Sequence, residues 1–497
     1  MTAGADRVRV FGAVDIGASG GRVMAGLVPA AGENDRQSRL ELEEVHRFPN
    51  GARESGAHLR WDLTGLYEQV LVGLTRLARR HPQTESIGID TWAVDYAALD
   101  RDGRLLAEPI CYRDQRTAPV VDSVHERLSP SQLYAINGLQ YLPFNTVYQL
   151  AAERRGALWP RIATVVLLPD LLAYWLTGEL RTEITNASTT GLLDAERRTL
   201  SSTITEALGL PAGLLPPLVE PGQPVGALRP EVADRTGLAP GTRVVAVGSH
   251  DTASAVVGVP AAGRDFGYVS SGTWSLVGVE LDRPVLTEQA RRANFTNEGG
   301  VDGRIRFLRN VGGLWLLQES IRAWREAGQH AGLDSLLAAA AALPPGGPVV
   351  DVDSEVFLPP GDMPARIRRA CSDRGQPPPE TAEAVVRCVL DSLAVAYART
   401  IAQARDLTGV APRVVHIVGG GSRNDLLCQL TADLCGLPVV AGPVEATALG
   451  NLVVQARTAG AVHGDLERLR DTVRRSSALR HYRPSPAGRQ ALSSAAR

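Results

Sequence analysis

Alternating apolar and polar positions in "RVRVFGAVDIGASGGRVMAGLV", residues 7 to 28, stop at a Gly/Ser stretch and then resume, which predicts strand, glycine turn, strand. The form returns in "RDFGYVSSGTWSLVGVEL", residues 264 to 281, again with small residues at the tip. Two similar hairpins about half a chain apart predict two halves built on one plan. Between them the period changes. Leu63, Leu66, Tyr67, Val70, Leu71, Leu74 and Leu77 fall on one face of a helix, and "SIGIDTWAVDYAALD" after it reads as a strand. "ATVVLLPDLLAYWLTGE" predicts a buried strand and then a helix started by Pro169 and Asp170 and stopped by Gly178. The Pro- and Gly-rich part from Leu208 to Pro240 predicts turns and short elements only.

In the second half, Val386, Val389, Leu390, Leu393, Tyr397 and Ile401 line one face of a long helix that ends at Gly409. The strand "RVVHIV", the loop "GGGSRND", the helix "LLCQLTADLCG", the strand "PVVAG" and the helix "EATALGNLVVQARTAG" follow, an α/β pattern. The expected division is an N-terminal domain over 1–258, a C-terminal domain over 259–465 and a peripheral tail over 466–497.

A chain of 497 residues is long enough for two cores. Its 52 basic and 54 acidic residues leave a net charge of −2, too small a field to argue for nucleic acid or an acidic membrane surface. The N-terminal segment lacks a signal-peptide core, and no apolar run reaches about 18 residues, so a soluble cytoplasmic protein, monomer or homodimer, is expected. Five cysteines, Cys371 and Cys388 among them, follow no dense pattern and read as reduced thiols. Every basic residue is arginine. That excludes a Walker A loop, a protein-kinase strand lysine and a Schiff-base amine.

Several stretches carry candidate chemistry. In "DIGASGGR", Asp15 beside glycines suits Mg²⁺, and the tip N–H groups suit phosphate oxygens, although Asp and Gly also simply make turns. "SSGTW" repeats the small residues, and two such loops make a clamp for a polyphosphate. "VGGGSRND" sits between a strand and a helix as a dinucleotide loop would, but the glycine spacing departs from that fingerprint and no acid follows at about 20 residues. "VVAVGSHDTASAVVG" fits two roles. Asp251 or Ser249 can cap a helix, and a carboxylate at the end of a buried strand can take a proton from a substrate hydroxyl.

Together these segments, with "HRFPNG", "YRDQRT", "GLQYLPFNTVYQL", "TNASTTGLLD", "TNEGG", "NVGGLWLLQ" and "AGPVEATALGN", resemble the FGGY carbohydrate kinases over nearly the whole chain. The resemblance implies two ribonuclease H-like domains of the actin/hexokinase/Hsp70 type, an α/β fold with a catalytic cleft between them. It implies ATP and Mg²⁺ as cofactors and a ketose as the small-molecule partner. The order of "GIDTWAVDY", "LPFNT" and "SHDTASAV" implies phosphorylation of L-rhamnulose at its 1-hydroxyl, with L-fuculose, L-xylulose or a non-catalytic nucleotide-binding role as alternatives.

Carried over by position, Asp251 matches the catalytic base, with His250 and Thr252 beside it on the sugar. Trp92, Ala93 and Asp95 match further sugar-side positions. Ala18, Ser19, Gly20, Gly21 and Arg22 match the first phosphate loop, with Asp15 near the metal and Thr273 as the second phosphate contact. Asn310, Gln318, Gly419, Gly420, Gly421 and Asn424 match the nucleotide side. Two positions depart from the family pattern: Gly20 stands where Ser is usual, and Ala93 where Gly is usual.

Overall fold

A computed structural model describes residues 8–29, 39–329 and 332–485. Val8–Gly17 and Gly20–Pro29 pair antiparallel around the tip Ala18-Ser19. Alternate residues of the first strand enter different cores: Val10, Val14 and Ile16 pack on one side of the sheet, Phe11 and Ala13 on the other. A strand buried on both faces must be apolar almost throughout, so the polar Asp15 near its end stands out. The sheet has six strands in the order Pro224–Ala227, Arg243–Val245, Thr84–Thr91, Val8–Gly17, Gly20–Pro29, Glu41–Pro49. Thr84–Thr91 runs parallel to both Val8–Gly17 and Arg243–Val245, so these three strands deliver their C-terminal ends to one edge.

The helix Leu63–Arg80 covers one face through Leu63, Leu66, Val70, Leu71, Leu74 and Leu77, with the Asp62 carboxylate accepting from Gly65 N–H as its cap. Ala446–Thr458, Asp251–Val257 and Leu466–Ser476 belong with the other face. The predicted strand through "SIGIDTWAVDYAALD" is broken. Thr84–Thr91 ends at the site, Val94 takes a left-handed φ of 67°, and Tyr96–Leu99 pairs instead with Thr164–Leu167.

The chain forms two compact units, each discontinuous in sequence. The first takes the chain up to Gly258 with Leu281–Phe307 and Ala446–Ser476; the second takes Val259–Glu280, Leu308–Glu445 and the chain from Ser477. Ala446–Thr458, late in the sequence, joins the first unit through close glycine contacts. A Cβ on Gly450 would stand 1.8 Å from Ser254 O, and one on Gly258 2.1 Å from Ala446 O. Only glycines let Ala446–Thr458 lie backbone to backbone on Asp251–Val257. Nor is the segment after 465 peripheral throughout: Leu466, Leu469, Arg470 and Val473 are buried, and Arg470 donates to Val256 O at 3.1 Å. Residues 486–497 lie outside the described residues.

In the second unit, strands run in the order Ile305–Gly312, which enters from the first unit, then Trp274–Leu281, Phe266–Ser271, Val414–Val418, Val439–Ala441 and Arg480–Tyr482. The helix Ala382–Thr408 starts at Thr381, whose hydroxyl accepts from Ala384 N–H, and ends at Gly409 with φ 73°. It packs on Asp425–Cys435 in the core of this unit. Cys371 and Cys388 lie in that core as free thiols with their sulfurs 3.9 Å apart. Among the described residues no helix is long and apolar enough to cross a membrane.

Candidate active site

At the shared edge of the parallel strands the first unit gathers carboxylates. Asp15 and Asp90 are register partners on adjacent strands, and Thr91 bridges to His250 on the next. Asp90 is completely buried. Its Oδ2 accepts from Asn451 Nδ2 at 2.6 Å, while Oδ1 has no partner. Burial drives its pKa well above the ordinary value, and the charges of Asp15 and then Asp251 act the same way, against the Asn451 bond. Asn451 is itself held: Gln455 donates to Asn451 Oδ1 (2.6 Å) and to Gly12 O (2.9 Å), and Ser86 Oγ–H donates to Gln455 (2.7 Å).

Asp15 Oδ2 accepts from Arg22 Nε and Nη2 at 3.0 and 2.7 Å, so two residues assigned to metal and phosphate lie in contact. The loop they flank is braced by Asn50, whose Nδ2 donates to Gly17 O at 2.8 Å. Ala18 and Ser19 form its tip. Gly21 is needed for packing, since a Cβ there would fall 2.3 Å from the Phe48 ring; one on Gly20 would meet Phe48 O at 3.3 Å.

The helix Asp251–Val257 begins with Asp251 itself. Neither proposed cap forms: His250 occupies the cap position without a side-chain bond, and the Ser249 hydroxyl donates to Glu183 Oε2 at 2.8 Å. The Ser249 peptide is fixed at both ends. Its N–H donates to Glu183 Oε2 (3.1 Å), and its carbonyl accepts from Thr91 N–H (2.9 Å) and Asn186 Nδ2 (3.4 Å). Asp251 is thereby presented with 31 % of its side chain open, Oδ1 accepting from Thr252 Oγ1–H at 3.0 Å and lying 3.4 Å from His250 Nε2. Burial raises its pKa; His250 opposes this and Asp15 adds to it. A carboxylate with raised basicity and free surface at a strand end is equipped to accept a hydroxyl proton.

Trp92, Ala93 and Asp95 occupy the break after Thr91. Trp92 is buried against Trp61, ring centroids 4.3 Å apart. Ala93 is half-buried. The Asp95 carboxylate is held by the surrounding protein. Its Oδ2 accepts from Trp61 Nε1 (2.6 Å), Trp92 Nε1 (3.0 Å) and Tyr112 N–H (3.2 Å), and its Oδ1 from Gln149 Nε2 (3.1 Å). Four protein donors leave this carboxylate a structural hub of the loop.

In the second unit, glycines again mark close approach. A Cβ on Gly421 would stand 2.0 Å from Ser271 Oγ, one on Gly419 2.9 Å from Ser271 O, and one on Gly313 2.5 Å from Thr273 O. The glycine loop, the hairpin tip with Thr273 and the turn after Asn310 therefore meet, and exposed Gly420 and Gln318 lie on the same segments. Asn424 also caps a helix: its Oδ1 accepts from Leu427 N–H at 3.0 Å.

Sequence reasoning gave no role to Asp90, Glu183, Glu298, Arg306 or Asn451. An acid inside "SIGID" is a local signal that was available; the others matter through partners distant in the chain. Among the described residues no cluster of three or more His, Cys, Asp or Glu forms a protein-only metal cage. Mg²⁺ asks for less, since it keeps several waters and takes one or two carboxylates with substrate phosphates. Asp15, beside the unpartnered Asp90 Oδ1, fits that donor set.

Residues 10–258 match the N-terminal domain, and residues 267–459 the C-terminal domain, of the FGGY family of carbohydrate kinases. The chain is 42% identical over 476 residues to a rhamnulokinase of Bacteroides thetaiotaomicron, covering 95% of this chain and 96% of that protein. It is 38% identical to a rhamnulokinase of Bacillus subtilis, covering 97% of each. Its structure is similar to those of a gluconate kinase from Lactobacillus acidophilus (TM-score 0.77, 16% identity, 99% of this chain and 96% of that one) and a xylulose kinase from Rhodospirillum rubrum (0.75, 20%, 99% and 97%). These two likenesses show the fold, the two-domain α/β architecture of sugar kinases.

Proposed function

We propose the reaction from one premise, that the chain belongs to the FGGY family of carbohydrate kinases. It transfers the γ-phosphoryl group of ATP to the 1-hydroxyl of L-rhamnulose, yielding L-rhamnulose 1-phosphate and ADP. The observation that carries this reading is the partly exposed Asp251 carboxylate, beside His250 and Thr252, in a chain 42% identical to a rhamnulokinase over nearly its full length.

Asp251 accepts the proton of the 1-hydroxyl as that oxygen bonds to the γ-phosphorus and the bond to the β–γ bridging oxygen breaks, the electron pair leaving with ADP. His250 and Thr252 orient the sugar. The Ala18–Ser19 tip with Gly20, Gly21 and Arg22, and the Thr273 tip, offer backbone donors to phosphate oxygens. Asn310, Gln318 and Gly419 to Gly421 serve the nucleotide. Asp15 would hold Mg²⁺, which would supply charge neutralisation at the phosphates.

A panel of ketoses in a coupled ADP-release assay tests the proposal. The highest kcat/KM is expected for L-rhamnulose. Faster turnover of L-fuculose or L-xylulose would replace the substrate, and ADP release that no sugar stimulates would replace catalysis with nucleotide binding alone.

A further inference from the structure

Behind His250 lies a buried ion pair. Glu298 sits on the strand Thr296–Gly299 and Arg306 on Ile305–Gly312, and the Arg306 side chain is 0% exposed. Arg306 Nη2 stands 3.1 Å from His250 Nδ1 and 3.1 Å from Glu298 Oε2, and Glu298 Oε2 is 3.3 Å from Nδ1. Arg306 Nε donates to Gly299 O at 2.9 Å, which fixes the guanidinium plane. Of the contacts around Nδ1, the one from Arg306 has hydrogen-bond geometry, whereas Glu298 Oε2 makes no such bond.

A guanidinium has only N–H donors. Nδ1, facing one, must therefore be the acceptor, and the imidazole proton sits on Nε2, the nitrogen that faces Asp251 Oδ1 at 3.4 Å. Building on the kinase reading above, we propose that Arg306 is a positioning residue that sets the His250 tautomer, with Glu298 compensating its buried charge. His250 then presents Nε2–H toward the Asp251 carboxylate and the hydroxyl that it deprotonates. An unpaired charge this deep would be strongly destabilising, which accounts for Glu298. Burial pushes the Glu298 carboxyl up, but the charge of the Arg306 guanidinium opposes it, and the group lies below its ordinary value.

The alternative tautomer is also built in. Without Arg306, the neighbour left at Nδ1 is the Glu298 oxygen, an acceptor. The proton would move to Nδ1, and the Nε2 lone pair would confront the Asp251 carboxylate.

The test is the ¹⁵N spectrum of histidine-labelled protein, free of sugar, with the His250 signals assigned by their loss in His250→Asn. In the wild type at neutral pH a protonated Nε2 and a bare Nδ1 are expected. Arg306→Met should move the proton to Nδ1 and lower kcat on L-rhamnulose by roughly 10- to 100-fold, the worth of a hydrogen bond to a charged group, with KM for ATP unchanged. Arg306→Lys, also donor-only, should keep the wild-type tautomer. A wild-type proton on Nδ1, a tautomer unmoved in Arg306→Met, or a moved tautomer with full kcat would each overturn the proposal. The wild-type spectrum decides even where Arg306→Met does not fold. The expected tautomer in a protein that phosphorylates no ketose would remove the substrate reading and leave the Arg306 assignment standing.

Discussion

Replacing Asp95 with Asn separates what its carboxylate does through hydrogen bonds from what it does through charge. Burial raises its pKa to about 6, against the four donors that favour the ionised form. An acid raised in the folded state stabilises the fold below its unfolded pKa, and loses that contribution as pH rises through the folded value. Between pH 4.5 and about 6 the interval is one and a half units, which at about 1.36 kcal/mol per unit is about 2 kcal/mol of stability lost by the wild type and not by Asp95→Asn. The asparagine has its own cost, because its Nδ2 meets a donor, Trp61 Nε1 or Gln149 Nε2, where oxygen accepted before. That mismatch is the same at every pH and cancels in the difference. Urea denaturation of both proteins at pH 4.5 and 7.5, followed by tryptophan emission since Trp61 and Trp92 border the site, gives the double difference. The mutant should gain about 2 kcal/mol on the wild type at the higher pH. An equal gap at both pH values would refute the argument that burial, and not the four donors, governs this carboxylate.

Two glycines test close packing at separate places. Gly450→Ala puts a methyl group into Ser254 O, a backbone atom that cannot swing aside, so Ala446–Thr458 must lift off the helix that Asp251 begins; a loss of at least about 1–3 kcal/mol and a lower kcat are expected, read by thermal melting and turnover. An unchanged melting temperature would refute the backbone contact. Gly421→Ala drives its methyl group into both Ser271 Oγ and Ser271 Cβ, and should raise KM for ATP by roughly an order of magnitude, about 1.4 kcal/mol, with KM for the sugar unchanged, as steady-state titration of each substrate will show.

Where structure depends on neighbours in sequence, it was legible. Gly178 and Gly409 end their helices in the left-handed region, and both glycine hairpins turn where small residues cluster. Asp251, His250 and Thr252 come together because they are consecutive. What failed depends on partners far away. Nothing local reveals Trp61, Tyr112 and Gln149 converging on Asp95. Glu183 holds Ser249 across 66 positions, and Arg306 faces His250 across 56, separations that periodicity cannot express. Gly450 reads as part of a helix, and its contact with Asp251–Val257 requires the opposing backbone.

The central claim is that Asp251 takes the proton of the sugar hydroxyl, and Asp251→Asn tests it most directly. The variant keeps the size of the side chain and can keep the Thr252 contact, so folding and ATP binding should match the wild type. Turnover of L-rhamnulose should fall by roughly 10²- to 10⁴-fold, the usual worth of a general base. A folded, ATP-binding Asp251→Asn protein that retains half the wild-type kcat would contradict the account.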